Sequence, residues 1–356
     1  MTDEVGVVVM AYGTPASPAG VEAYYTHIRR GRPPSAEQLA NLQMRYDALG
    51  GTSTLAARTS DQIAALSTGL AALAPGRFVV ALGQKHAPPF IEDGVATLVA
   101  RGVAKIVGLV LAPHFSAFSV GEYHQRAGEA AATAGVPYRG IDQWHDLPEY
   151  RAFLVDAVVD GLADMPPATH VVFTAHSLPE RLLADDPYPD QLQESAEAVA
   201  ADVARARGEP TPRGAEVAAA RAADPTGDPI ADALAGGVAK IVADAATSGV
   251  LAHRLSWSVA WQSAGATPEP WRGPDVLEVI REVAAAGGTD GLLVCPQGFV
   301  ADHLEVAYDL DIEARRVADE VGLAFARTRV LNADPTVFAA LAARVAAAAD
   351  VRADHG

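Results

Sequence analysis

The chain has 356 residues, 50% of them apolar, and its 27 basic and 44 acidic side chains give a formal net charge of −17. A surface that negative repels nucleic acid and anionic membranes alike. The single cysteine, Cys295, excludes an internal disulfide, a CxxC zinc site and a four-cysteine iron–sulfur cluster.

No apolar run reaches the roughly 18 residues that a spanning helix needs. Met1-Thr-Asp-Glu-Val carries acids where a signal peptide is basic, so a cytoplasmic protein is expected. From the N-terminus, apolar runs bounded by turn residues mark strands at Val7–Met10, Phe78–Leu82, Ile106–Ala112 and Val136–Ile141. A second set follows at His170–Thr174, Ser256–Ala260, Gly291–Cys295 and Leu323–Arg327, with Cys295 as a small core residue. Helical patterns separate most neighbours: Ser60–Leu73, Ile91–Arg101, Tyr123–Ala134, Tyr150–Ala163, Pro189–Arg207, Pro274–Ala286 and Asp302–Glu320. Continuous apolar strands alternating with helices indicate parallel sheets covered on both faces, here two four-stranded α/β units. The first takes residues 1–143 and the second 144–330, and 331–356 holds a last helix, Pro335–Ala349, and a frayed tail. Gly208–Gly249, rich in Ala, Pro, Gly and Asp with a weak helix near Ile230–Ala245, reads as a surface insertion.

In open parallel sheets, sites form beyond the carboxyl ends of strands. Those ends carry Tyr12-Gly13-Thr14-Pro15, Gln84-Lys85-His86, Pro113-His114-Phe115-Ser116, His176-Ser177-Leu178-Pro179, Trp261-Gln262-Ser263 and Pro296-Gln297-Gly298. No Gly-x-Gly-x-x-Gly follows the first strand and no P-loop exists, which argues against a nucleotide; no Gly-x-Ser-x-Gly elbow supports a serine hydrolase. His176, directly after a strand, can present a neutral imidazole to a proton or a metal, or can equally serve as a cap or core histidine. Glu305, Asp309 and Glu313 are spaced i, i+4, i+8 on a helix that Asp302 could cap, with no basic residue to relieve them before Arg315. That stripe is either a solvated acidic face or a track of oxygen ligands for a divalent cation. Tyr24-Tyr25-Thr26-His27-Ile28-Arg29-Arg30-Gly31-Arg32, followed by Arg45, Tyr46 and Gly50-Gly51-Thr52-Ser53, is a basic patch in an acidic chain. Arginines beside aromatics suit an anionic aromatic ligand, though a solvated basic loop has the same composition.

With these residues in hand, the sequence resembles the bacterial ferrochelatase family. The matching blocks are Ala11–Pro15 (AYGTP), Tyr24–Arg32, Gln84–His86, Thr174–Glu180 (TAHSLPE), Asp186–Gln191 (DPYPDQ), Ala260–Val276 and Gly298–Glu313, and the 208–249 stretch is the main part outside them. The resemblance implies two similar Rossmann-like, chelatase-type domains with the active-site cleft between them and the C-terminal helix returning to the first. It makes His176 and Glu305 the catalytic pair, and His176, Glu305, Asp309 and Glu313 the metal track. Tyr12, Arg29, Arg45, Ser53, Tyr123, Lys85 and His86 become substrate-binding residues, with propionates meeting Arg29, Arg45, Ser53 and Tyr123. The implied reaction inserts Fe²⁺ into a porphyrin with loss of two pyrrole protons. Tyr12-Gly-Thr-Pro, the short N-terminus and the lack of a spanning segment are most like the coproporphyrin III ferrochelatases of Gram-positive bacteria, where protoporphyrin enzymes commonly carry Leu-Gly-Thr-Pro. Asp185 stands where the family has glycine and the loop after Pro179 is one residue short, a departure in backbone rather than chemistry. Fe²⁺ is then a substrate, with no tightly bound cofactor and no [2Fe–2S] cluster beside a lone Cys295. A monomer is expected, with transient contact to neighbouring haem-pathway enzymes. The alternatives are a protoporphyrin IX ferrochelatase, a cobalt chelatase on the same fold, or a non-catalytic tetrapyrrole or metal carrier.

Overall fold

The computed structural model describes residues 4–209, 213–214, 255–265 and 267–351. Most of the expected surface insertion, including its helix near 230–245, and the end of the tail lie outside the described residues. Contacts divide the chain into two units. The first holds residues up to Glu149, Val300–Leu304 and everything from Leu331; the second holds Tyr150–Phe299 and Glu305–Val330.

The first unit is built on β1 (Val5–Ala11), β2 (Phe78–Gln84), β3 (Lys105–Val110) and β4 (Tyr138–Ile141). They form a parallel sheet in the order β2-β1-β3-β4. All seven residues of β1 are buried, as a central strand covered on both faces requires. Helices α1 (Val21–Ile28), α2 (Ala36–Ala48), α3 (Leu55–Leu73), α4 (Ile91–Arg101) and α5 (Glu122–Thr133) belong to this unit. The first two were not marked by apolar periodicity. Their signal is local: the Ser35 hydroxyl accepts the Gln38 N–H and the Gln38 side chain returns to Ser35, a reciprocal cap that starts α2.

The second unit carries the expected four strands, β5 (Thr169–His176), β7 (Ser256–Gln262), β8 (Gly291–Cys295) and β9 (Ala324–Arg327), and a two-residue edge stub, β6 (Arg213–Gly214). The order is β6-β7-β5-β8-β9, all parallel. Around it lie α6 (Pro148–Ala163), which starts at the end of the first unit, α7 (Tyr188–Ala206) and α8 (Val276–Ala286). Asp275 caps α8 and Glu278 completes the box. Cys295 is free and buried in β8, where burial pushes its thiol up to about 12. The last helix, α11 (Pro335–Asp350), is capped by Asp334 and packs on α3 within the first unit. Among the described residues, no helix is long and apolar enough to cross a membrane.

The expected single helix over Asp302–Glu320 is instead three pieces: α9 (Leu304–Ala307), a wide π-type turn over Asp309–Ala314, and α10 (Arg315–Val321). The Glu313 N–H bonds back to the Tyr308 carbonyl at 3.0 Å, an i to i+5 closure. Asp302 stands just before this element. Its carboxylate accepts from Asn332 Nδ2 at 2.8 Å and its N–H donates to Asn332 Oδ1 at 3.0 Å, which ties it into the first unit.

Candidate active site

In each unit the chain order reverses around the first strand, so the crevice a ligand can use lies beyond the carboxyl ends of β1 and β3, or of β5 and β8. In the second unit β5 ends on His176. Its Nδ1 is 2.5 Å from the Ser177 carbonyl, which can only accept, so Nδ1–H donates there and Nε2 faces Glu305 Oε1 at 3.5 Å. Burial alone would push this imidazole down. The Glu305 carboxylate, the Ser177 carbonyl and the Asp309 carboxylate outweigh it and hold His176 up at about 9. The two carboxylates that face it thus favour its protonated form.

Asp309 is buried, and Ser263 Oγ donates to its Oδ2 at 2.5 Å. Ser263 sits at φ 61°, a left-handed conformation that places its hydroxyl at the end of β7. Glu313 lies further along and raises Asp275, whose carboxyl is pushed up first by burial and then by Glu278 and Glu313. The π-type turn thus breaks the even stripe of acids. Asp309 is turned toward His176, whereas Glu313 acts on Asp275. Among the described residues no three His, Cys, Asp or Glu side chains close on one point. Tyr188 donates to the His176 carbonyl at 3.4 Å and packs against Trp261, and burial raises its phenol above the ordinary range. Gln262, Ser263, Asp275 and Tyr188 were not assigned from sequence, although Gln262 and Ser263 stand on a strand end.

The candidates of the first unit gather in two places. After β2, the Lys85 ammonium pairs with Glu122 at 2.8 Å and lies over the rings of Tyr123 and Phe118. Burial lowers its pKa despite Glu122. His86 is held at about 3, first by burial and then by the charges of Lys85, His27 and Arg126. Its ring lies 4.7 Å from that of Tyr12, and its Nδ1 is 3.1 Å from His27 Nδ1. Tyr12 is 43% exposed and so is available to a ligand, whereas Tyr123 is buried beneath Lys85. Arg29 follows α1 with its guanidinium over the Tyr25 ring, and its Nε donates to the Arg32 carbonyl. Arg45 lies in the last turn of α2, half-buried, and the Ser53 hydroxyl accepts the Leu55 N–H at the start of α3. The sequence showed the basic residues, but not that Arg29 lies in the turn after α1 while Arg45 is held on α2.

The fold recurs in two solved structures. The sirohydrochlorin chelatase SirB from Bacillus subtilis subspecies spizizenii, solved in complex with cobalt, superposes with a TM-score of 0.50 at 13% identity, covering 98% of this chain and 96% of that one. SirB from Bacillus subtilis with Fe³⁺ gives 0.51 at 12% identity over 98% and 96%. These likenesses show the fold, two parallel α/β units. The sequence goes further. The coproporphyrin III ferrochelatase of Halalkalibacterium halodurans is 39% identical over 344 residues, 95% of each chain. That of Bacillus subtilis is 38% identical over 346 residues, 95% of this chain and 96% of that one. Coproporphyrin III ferrochelatase 1 of Bacillus cereus is 40% identical over 340 residues, 94% of each. The Ferrochelatase family model matches residues 4–349, and the chain belongs to that family.

Proposed function

We propose that this protein inserts Fe²⁺ into coproporphyrin III to give coproheme, releasing two pyrrole protons. The observation that carries this reading is the His176–Glu305 pair, 3.5 Å apart at a strand end with the Asp309 charge beside it. Removing two N–H protons from a porphyrin needs adjacent groups that can accept and relay them, and a carboxylate beside an imidazole is such a pair. Fe²⁺ arriving along Glu313 and Asp309 would add positive charge beside His176, favouring loss of its proton and leaving Nε2 free to bind the metal. The catalytic roles fall to His176 and Glu305, and the metal track to His176, Glu305, Asp309 and Glu313.

Tyr12, Arg29, Arg45, Ser53, Lys85, His86 and Tyr123 bind the porphyrin in this reading. Arginine forks and the Lys85 ammonium supply charge-assisted bonds to propionates, and four propionates make more use of them than two. Tyr123 acts from beneath Lys85. The protein works in the cytoplasm as a monomer, with no tightly bound cofactor and no [2Fe–2S] cluster, and meets neighbouring haem-pathway enzymes only transiently.

The test is anaerobic metallation of coproporphyrin III and protoporphyrin IX by Fe²⁺, followed by the porphyrin spectrum. Faster turnover of coproporphyrin III is expected. A preference for protoporphyrin IX would overturn the substrate, and binding without metallation of either would leave a carrier.

A further inference from the structure

Two chain segments far apart in sequence supply the His176–Glu305 pair, and something has to fix the distance between them. We propose that Gln262 is the positioning residue that sets this gap. The proposal rests on the catalytic reading of the pair.

Gln262 is the last residue of β7 and pairs in register with His176, the last residue of β5. Its backbone carbonyl accepts the Ser177 N–H at 2.8 Å. The other side of that residue, the Ser177 carbonyl, takes the His176 Nδ1–H. Gln262 therefore holds the residue that orients the imidazole. Its side chain reaches the other way: Nε2 donates to the Glu305 carbonyl at 2.9 Å. Glu305 lies in a helical piece only four residues long, which can anchor its own backbone poorly. One residue thus grips the backbone on both sides of the pair. The Ser177 hydroxyl, which donates to the Arg272 carbonyl at 2.7 Å, braces the histidine side alone. Ser263, next in the chain, binds Asp309 and not Glu305.

The residue is 1% exposed, and its buried Oε1 has no hydrogen-bond partner among the described residues. A leucine or methionine would fill the same space without leaving a buried acceptor unsatisfied. What the glutamine adds at this position is the donor half, and the donor goes to Glu305.

The variants to make are Gln262→Met, which keeps the length and loses the donor, and Gln262→Leu, which loses the donor in a shorter apolar side chain. Removing a group that orients a metal-binding side chain typically costs 10–100-fold, and a loss of about that size in kcat is expected for both. KM for the porphyrin should be unchanged. In the Glu305→Gln background, Gln262→Met should change the residual rate by less than about twofold, because a residue acting through Glu305 has nothing left to position. A crystal structure of Gln262→Met should show His176 Nε2 and Glu305 Oε1 further apart than the 3.5 Å found here. An unchanged separation, unchanged kcat, or an equal loss with and without Glu305 would overturn the proposal. The separation can be read whether or not the protein proves to be a chelatase, so failure of the function and failure of the positioning role can be told apart.

Discussion

Each unit puts a histidine at the carboxyl end of a strand, and their surroundings drive them in opposite directions. His86, just past β2, is held at about 3; His176, at the end of β5, is held at about 9. Burial pushes both down. The difference is the sign of the neighbours. His86 has Lys85, His27 and Arg126 around it, whereas His176 has Glu305 and Asp309. One residue type is thus drawn toward its neutral form in a cationic, aromatic setting and toward its protonated form in an acidic one. The pH consequences are opposite as well. His86 makes folding less favourable as pH falls below the ordinary 6.5 toward about 3, since the unfolded chain takes up the proton first. The contribution of His176 is fully present below 6.5 and is lost as pH rises through about 9.

The largest expected effect comes from Glu305→Gln, which removes the leading source of the His176 shift. The His176 midpoint, followed by NMR of labelled histidine, should fall from about 9 toward the ordinary 6.5, while that of His86 stays near 3. Iron insertion should slow by about 10²–10⁴-fold, the usual worth of a proton-transfer group. A His176 midpoint that stays near 9 would mean that Glu305 is not what sets it.

Next in size is Gly298→Ala, which strikes the histidine through its strand. A Cβ at Gly298 would lie 2.5 Å from the Ala175 Cβ and 2.9 Å from its Cα, on the residue before His176. Such overpacking costs about 1–3 kcal/mol, and displacement of the strand end should lower kcat as well. The counterpart in the first unit is Gly13, where a Cβ would lie 2.9 Å from the Ala87 Cβ at φ +89°. Gly13→Ala should therefore lower stability through strain and crowding but move Tyr12 and His86 rather than His176. Thermal melts with kcat and KM separate the two. Equal losses of kcat from both variants would dissolve the contrast.

Strands were legible because both sheets are buried on both faces, so β1, β5 and β8 read as continuous apolar runs. The His176–Glu305 pair was legible only through the resemblance of whole blocks, since nothing in their spacing says that the two residues meet. The winding of 309–314 was not legible at all. An i, i+4, i+8 pattern fits an ordinary helix, and only the Glu313 N–H reaching Tyr308 shows that the face is broken. Gln262 and Ser263 were visible at a strand end but received no role for a related reason: their roles depend on the cross-sheet register of β5 and β7, which a single strand does not encode.

In the first unit, Lys85→Met tests whether charge or burial dominates at His86. Burial is the larger cause, so the His86 midpoint should rise from about 3 yet stay well below 6.5. The same change removes an ammonium that could bind a propionate, and KM for coproporphyrin III should rise about tenfold, the worth of one charge-assisted hydrogen bond. A midpoint that returned to 6.5 would make the cationic setting, not burial, the controlling feature of that site.

Asp309→Asn is the smallest of the expected changes and sharpens the contrast most. Asn can still accept from the Ser263 hydroxyl at the position where Asp309 now does so at 2.5 Å, so the local backbone should hold. Only the charge goes. Asp309 ranks behind Glu305 and the Ser177 carbonyl in raising His176, so the midpoint should fall by less than in Glu305→Gln and stay above 6.5. If Asp309 also hands metal toward His176, iron insertion at limiting Fe²⁺ should slow more than at saturating Fe²⁺. A role confined to tuning the histidine would slow both equally and would shift the pH profile instead. The ratio of the two rates therefore separates a ligand on the track from a charge beside it.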